Sequence, residues 1–438
     1  MRLFKVQRAM PLAAAILLSA FTATPDAVAL PAGADSVAID ANVRQLVERI
    51  DEEQARNGPY SAELIDAFQA LVPLYQAGGD RALATAALER TLQLVRANYG
   101  IHSLDQAPLI WQLVADEEHR RNFPAAWALE QELLDLARRN PDDLRTAQVL
   151  RQIGDKRMDI LGRYAEGKEF PPQIVLGCYY DAGTPMTAGE TKDCHAGNRD
   201  VVIRSLLQEA QRDYWAAIGI LVRQQLYSSD DLRELEMDLV RSSYQYSTPR
   251  TGADSLRRLA AYAVATSEPS LNQIDALVQL ADWYLIFGTP RPVTAGRDLR
   301  DAHELYKNAY QHLENEGVDE ALIERIFSPQ KPVVLPTFVP DPLAPAGPRS
   351  STRFIDVAFD VTKSGEAKRV EILDTTRYAT KEAKQRLVQL IKRSTFRPRI
   401  IGGEFVDSTR FTVRYYLNDL MTSQEGIQRA GAPRTRPE

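Results

Sequence analysis

Cys178, Cys194 and His195 are the first residues of this 438-residue chain whose types could do chemistry. A thiol beside an imidazole can hold a metal or act as a nucleophile. A zinc site needs four ligands, however, and no other Cys, His or carboxylate nearby has ligand spacing, so a metal is the weaker reading. The cysteines are 16 residues apart, and joined as a disulfide they would close a loop that the chain-entropy model values at about 3 kcal/mol. The other histidines, His102, His119, His303 and His312, are scattered, and the sequence has no H-E-x-x-H, G-x-S-x-G or dinucleotide-binding glycine motif. Gly162 to Lys168 copies most of a phosphate-binding loop. Glu169 stands where Ser or Thr would hold magnesium, and a helical pattern precedes the segment, so it reads as a helix end. Glu117, Glu118 and His119 could act as acid and base, but on a repeated helix they read as a solvated face. These residues predict no catalytic site, no cofactor and no bound metal, and leave an envelope hydrolase with a Cys/His metal site as an alternative.

The elements that would position these groups are mostly helical. Between 37 and 167, Ala87-Leu88-Glu89-Arg90 returns as Ala128-Leu129-Glu130-Gln131, 41 residues on, and Phe68, Leu109 and Leu150 keep the same interval. Gly78-Gly79-Asp80 and Arg139-Asn140-Pro141 punctuate the helices. Helix pairs of this length cannot bury an apolar face alone and stack into a solenoid. The run from Leu71 to Gly100 resembles tetratricopeptide repeats of the longer kind found in kinesin light chains. The likeness returns where Leu277, Leu280, Ala281, Tyr284 and Gly288 fall as in a repeat's first helix and Ala302, Tyr306 and Ala309 as in its second. An insertion from Thr289 to Arg300 separates those two. A second, non-helical insertion at 169–198 holds both cysteines.

Residues 1–29 read as a secretory signal. Arg2, Lys5 and Arg8 form a basic start, Leu12 to Phe21 an apolar run too short to span a bilayer, and Ala27-Val28-Ala29 a small-x-small cleavage site. An exported chain meets an oxidising compartment, which favours pairing Cys178 with Cys194. Prolines 329, 332, 336, 340, 342, 345 and 348 predict a semi-rigid extended linker over 329–349. Charge divides across it: residues 350–420 sum to +5 from 14 basic and 9 acidic residues, whereas residues 30–349 carry −14 of the chain's net −6. An acidic body of this kind argues against nucleic acid as a partner. The tail, 421–438, has little apolar material to pack and is expected to be disordered.

From Phe354 the pattern changes to period two. Ile355, Val357, Phe359 and Val361 alternate with Asp356 and Asp360 as a half-buried strand, Lys363 to Glu366 turns the chain at Gly365, and Val370 and Ile372 resume the alternation. Thr380 can cap a helix with Ala383, Leu387, Leu390 and Ile391 on one stripe, and Phe411, Val413, Tyr415 and Leu417 alternate as a last strand. Val357-Ala358-Phe359-Asp360-Val361, Gly365, Ala383 and Phe396-Arg397-Pro398 resemble, in order and spacing, the C-terminal domain of TonB-type energy transducers. Phe338-Val339-Pro340 only echoes the Tyr-Pro segment that precedes the first strand in that family. The predicted fold is therefore mainly α: a tetratricopeptide-like α-solenoid over 30–328, then a small α+β domain over 350–420, ordered strand-strand-helix-strand with a three-stranded antiparallel sheet.

The resemblance implies a Gram-negative periplasmic protein whose sheet edge lets a short partner strand pair with it. That edge is Arg410, Phe411, Thr412, Val413, Arg414, Tyr415 and Tyr416, with Arg410 and Arg414 placed to favour an acidic segment. The resulting expectation is a non-catalytic scaffold that binds protein partners, an outer-membrane protein segment among the candidates, and has no stable membrane span after cleavage. An energy transducer is the alternative if residues 1–29 stay attached.

Overall fold

The structure, a computed structural model, describes residues 36–165, 199–265, 271–288, 299–339, 354–376 and 379–416. Cys178, Cys194, His195, Leu417 and the segments 1–29, 169–198 and 421–438 lie outside the described residues. The chain divides into two compact units between Leu136 and Ala137.

The first unit holds α1 (Ser36–Asn57), α2 (Leu64–Ala77), α3 (Arg81–Tyr99), α4 (Ala107–His119) and most of α5 (Phe123–Arg139). Asp80 starts α3 by accepting the Leu83 N–H at 3.1 Å, one of the donors that a helix N-terminus leaves unpaired. The buried faces show the repeat and correct its register. Ala84, Leu88, Thr91, Leu94 and Val95 of α3 match Ala126, Glu130, Leu133, Leu136 and Ala137 of α5, all buried, at an interval of 42. Ile65, Ala67, Leu71 and Val72 of α2 match Ala107, Leu109, Leu113 and Val114 of α4 at that same interval. From α4 to α6 (Leu144–Ala165) the interval becomes 40, pairing Ala107, Leu109, Ile110 and Leu113 with Ala147, Val149, Leu150 and Ile153. The expected 41 is the mean of two unequal spacings, because loops of different length join helices whose packed faces correspond.

The second unit continues with α6, α7 (Arg199–Arg223), α8 (Asp230–Gln245), α9 (Pro249–Ala265), α10 (Leu271–Phe287), α11 (Arg300–Asn315) and α12 (Glu320–Phe327), each packed on the next. Gly162 lies in the last turn of α6. Of the residues that resemble a repeat pair, Leu280, Ala281, Tyr284, Ala302, Tyr306 and Ala309 are buried in two clusters to which α10 and α11 both contribute, Gly288 is buried, and Leu277 is half-buried. Where α9 meets α10, a Cβ on Gly252 would stand 2.3 Å from Cζ2 of Trp283, so the missing side chain is what admits the indole.

The remaining elements are β1 (Val334–Leu335), β2 (Phe354–Val361), β3 (Ala367–Thr375), α13 (Lys381–Arg393), β4 (Thr395–Phe396), β5 (Arg399–Ile401), β6 (Glu404–Val406) and β7 (Ser408–Tyr416). Strands β3, β2 and β7 form an antiparallel sheet in that order. Its inner face, Ile355, Val357, Phe359, Val361 and Tyr415, packs on Leu387 and Ile391 of α13 and on Phe396. Thr380 caps α13 as expected, its side chain accepting the Ala383 N–H at 3.2 Å. The mainly helical fold with a small three-stranded antiparallel sheet is thus as the sequence reads.

The stretch expected as a linker, 329–349, is different over its described part. Val334 and Leu335 pair as β1 with β4, the Arg397 N–H donates to the Val333 carbonyl at 2.9 Å, and Leu335 is buried with Leu280, Trp283 and Leu285. The prolines set an extended backbone, but Val333-Val334-Leu335 between them is apolar, and an extended apolar segment gains more by pairing and burial than by spanning water.

Candidate protein interface at the C-terminal sheet

The sheet has two edges, β3 and β7, and among the described residues no strand pairs with the outer side of either. The β3 edge is interrupted twice. Register shifts fall between Asp356 and Val357 and between Ala358 and Asp360, and Arg369 adopts a left-handed φ of 50°. Exposed Lys368, Arg369 and Glu371 lie along it. Bulges and charges of this kind discourage a further strand.

The β7 edge is regular from Phe411 to Tyr416, pairing in unbroken register with Phe359 to Phe354. Its hydrogen-bonding direction follows from one contact. The Thr376 N–H donates to the Phe354 carbonyl at 3.1 Å, so the peptide groups of Phe354 face β3. Successive residues alternate sides in an antiparallel ladder, so Ile355, Val357 and Phe359 face β7 and bond Tyr415, Val413 and Phe411. Thr412, Arg414 and Tyr416 therefore turn their N–H and C=O groups outward. Phe411, Val413 and Tyr415 put their side chains towards the core cluster, whereas Thr412 and Arg414 are exposed. All seven edge residues expected from the sequence, Arg410 to Tyr416, stand on this one strand.

The two arginines do not stand free for a partner. Arg414 makes a two-pronged bond to Asp356, Nε to Oδ1 at 2.8 Å and Nη2 to Oδ2 at 2.7 Å, and lies 3.7 Å from the Phe354 ring centroid. That hydrogen bond holds its guanidinium above the ordinary arginine range. Arg410 reaches across the sheet to Glu371 at 2.8 Å. Asp356 and Glu371 lie on the outer face, and only the pairing of β2 with both neighbours brings them within reach. Each of the two arginines that the sequence places to favour an acidic segment thus already has a carboxylate of the sheet as its neighbour.

Asp360, in the central strand, governs where the regular edge begins. It accepts the Arg410 N–H at 2.8 Å and a hydrogen bond from Arg369 Nε. Both donors belong to residues with positive φ, 48° at Arg410 and 50° at Arg369, a conformation that costs a non-glycine residue roughly 1–2 kcal/mol. One buried carboxylate thus holds a bulge on each side of β2. Burial opposes its charge, but the Arg410 N–H and the Arg369 guanidinium outweigh this and hold it below the ordinary carboxylate range.

Behind the sheet, the Phe396-Arg397-Pro398 motif is anchored in the helices. Arg397 bonds Asp282 of α10 twice, Nε to Oδ1 at 3.1 Å and Nη2 to Oδ2 at 2.6 Å, and the Tyr306 hydroxyl donates to the same carboxylate. Asp282 is 1% exposed and Arg397 11%. Burial would lower the Arg397 pKa, yet the Asp282 charge more than offsets it and raises the pKa. Nearby, the His303 ring meets the Lys363 carbonyl at 3.0 Å, and Lys307 pairs with Glu404 at 3.0 Å. Among the described residues no group of His, Cys, Asp and Glu has the arrangement of a metal site.

No protein-family model matches the chain, and no curated protein matches it. Among solved structures, a "Circular tandem repeat protein with novel repeat topology and enhanced subunit contact surfaces" aligns with 66% of this chain and 75% of its own at 17% identity. The TM-score is 0.21, so the mainly helical assignment rests on the chain's own helices.

Proposed function

We propose that this protein is an exported, non-catalytic scaffold that captures protein partners by adding an extended segment beside β7. The outward peptide groups of Thr412, Arg414 and Tyr416 on an uninterrupted strand carry this reading. Backbone hydrogen bonds would supply the affinity, and with Arg410 and Arg414 already paired the segment need not be acidic. The repeat surfaces of α1 to α12 offer a second place for protein contact. The short apolar run before Ala27-Val28-Ala29 supports export to the periplasm with a mature start near Leu30, and export supports a Cys178–Cys194 disulfide. No helix among the described residues is long and apolar enough to cross a membrane.

Thr412→Pro tests the edge. Proline removes one outward N–H and leaves the packed face of β7 alone, and edge strands tolerate it. In pull-downs of crosslinked envelope extract with the full chain, T412P should lose the wild-type partners while melting within a few degrees of wild type. Retention of the same partners would overturn the reading.

A further inference from the structure

Two sets of cations in the C-terminal module differ in their surroundings. Arg369, Arg397, Arg410 and Arg414 are each held by a carboxylate. Lys381, Lys384, Arg386, Lys392 and Arg393 of α13 have neither a hydrogen bond nor an ion pair among the described residues. Glu382 is the one carboxylate on that helix. Leu387 and Ile391 are buried against the sheet, and Ala383 and Leu390 are half-buried beside them. The exposed positions, Lys381, Gln385, Arg386, Gln389, Lys392 and Arg393 with Glu382, lie opposite that stripe, within an arc of about 140° at 3.6 residues per turn. They extend along about 18 Å of helix, and none of them is apolar. Lys381 and Lys384 stand in the first turn, where the helix dipole disfavours a cation, so helix stability does not account for them.

We propose that the exposed face of α13 is an electrostatic docking surface for a bilayer that carries anionic phospholipid. The charge is complementary, and the shape decides between anionic partners. A single bound anion needs donors that converge, whereas these cations are spread over a convex helix and spaced by Gln385 and Gln389. A protein interface is built around an apolar, aromatic-rich core and is depleted in lysine, and the exposed face of α13 offers no apolar residue. A layer of headgroup phosphates needs neither a cavity nor an apolar anchor, and each Lys or Arg near it gains about fivefold in affinity. With its apolar stripe already buried in the module, α13 would rest on the headgroups without entering the hydrocarbon. Charges more than about 8 Å away are largely screened at physiological salt, so a surface meets the local excess on α13 and not the chain's net −6. The outward peptide groups of β7 take no part, and T412P should leave lipid binding unchanged.

The test is co-sedimentation of the full chain with vesicles of phosphatidylcholine, with and without about 30 mol% phosphatidylglycerol. Wild type should bind the anionic vesicles well above the neutral ones, and about 0.5 M salt should remove the difference. Replacing Lys381, Arg386, Lys392 and Arg393 by Gln should weaken binding to the anionic vesicles at least about a hundredfold. A second variant makes the same change of net charge elsewhere, at exposed Arg56, Arg81, Arg325 and Lys331, and should bind as wild type does. Both variants should melt within a few degrees of wild type; for an α13 variant that melts lower, the double replacement Lys392→Gln, Arg393→Gln should still lose about 25-fold. Equal binding of wild type to both vesicles, or equal losses in the α13 variant and its charge-matched control, would overturn the proposal. So would wild type binding soluble polyglutamate but not anionic vesicles, which would assign the face to an acidic polypeptide.

Discussion

Arg397 and Asp282 form a buried ion pair between the Phe396-Arg397-Pro398 motif and α10. Buried ion pairs contribute modestly as pairs, but removing one partner strands the other and costs about 3–5 kcal/mol. Asp282→Asn should therefore lower the denaturant midpoint steeply, while a Asp282→Leu, Arg397→Met double variant should recover much of the loss. Equal losses in the single and double variants would show that the pairing is not what Asp282 supplies. Asp360 gives the acid response. Its folded pKa lies below the 3.8 of an ordinary aspartate, so its stabilisation is fully present above that value. The unfolded chain binds the proton more readily, so the contribution disappears as pH falls through the lowered folded value. Acid unfolding followed by circular dichroism should be steeper below about pH 4 for wild type than for Asp360→Asn, and parallel curves would refute this.

At the scale of elements, the C-terminal sheet is not a free bead on a proline string. Val334 and Leu335 of β1 pair with β4, and burying each such side chain contributes about 1.5–3 kcal/mol. Gly365, at φ 76°, closes the β2–β3 turn with its Cα side against Leu285 of α10 and the Phe396 carbonyl. Ile400 of β5 lies in the same buried cluster as Tyr306, Tyr310 and Phe327. A fragment of residues 350–420 should consequently lack the cooperative unfolding that the same residues show in the full chain. A well-dispersed amide spectrum from that fragment, with full-chain stability, would refute it.

For the whole molecule, export and oxidation are the open propositions. Periplasmic protein should have the intact mass of a chain starting near Leu30, and thiol labelling of the unfolded, unreduced chain should modify neither Cys178 nor Cys194. A mass that retains Met1 would favour the transducer alternative, and two reactive thiols would exclude the disulfide.

The sequence by itself determined the local order: helix where apolar residues recur every three to four positions, strand where Ile355 to Val361 alternate, a cap at Thr380 and a turn at Gly365. Each depends on residues near one another in the chain, so periodicity and turn chemistry suffice to read it. Arg410 to Tyr416 was legible as a strand for the same reason, but its place at the edge came only from the family resemblance, and its outward peptide groups were not legible. Asp356 with Arg414, Asp360 with two bulges, Asp282 with Arg397 and Phe338 with Trp283 were decided only by the tertiary structure. Their partners stand from nine to more than a hundred positions apart. Only helix packing and strand register bring them together, because burial energy depends on which faces meet and not on distance along the chain.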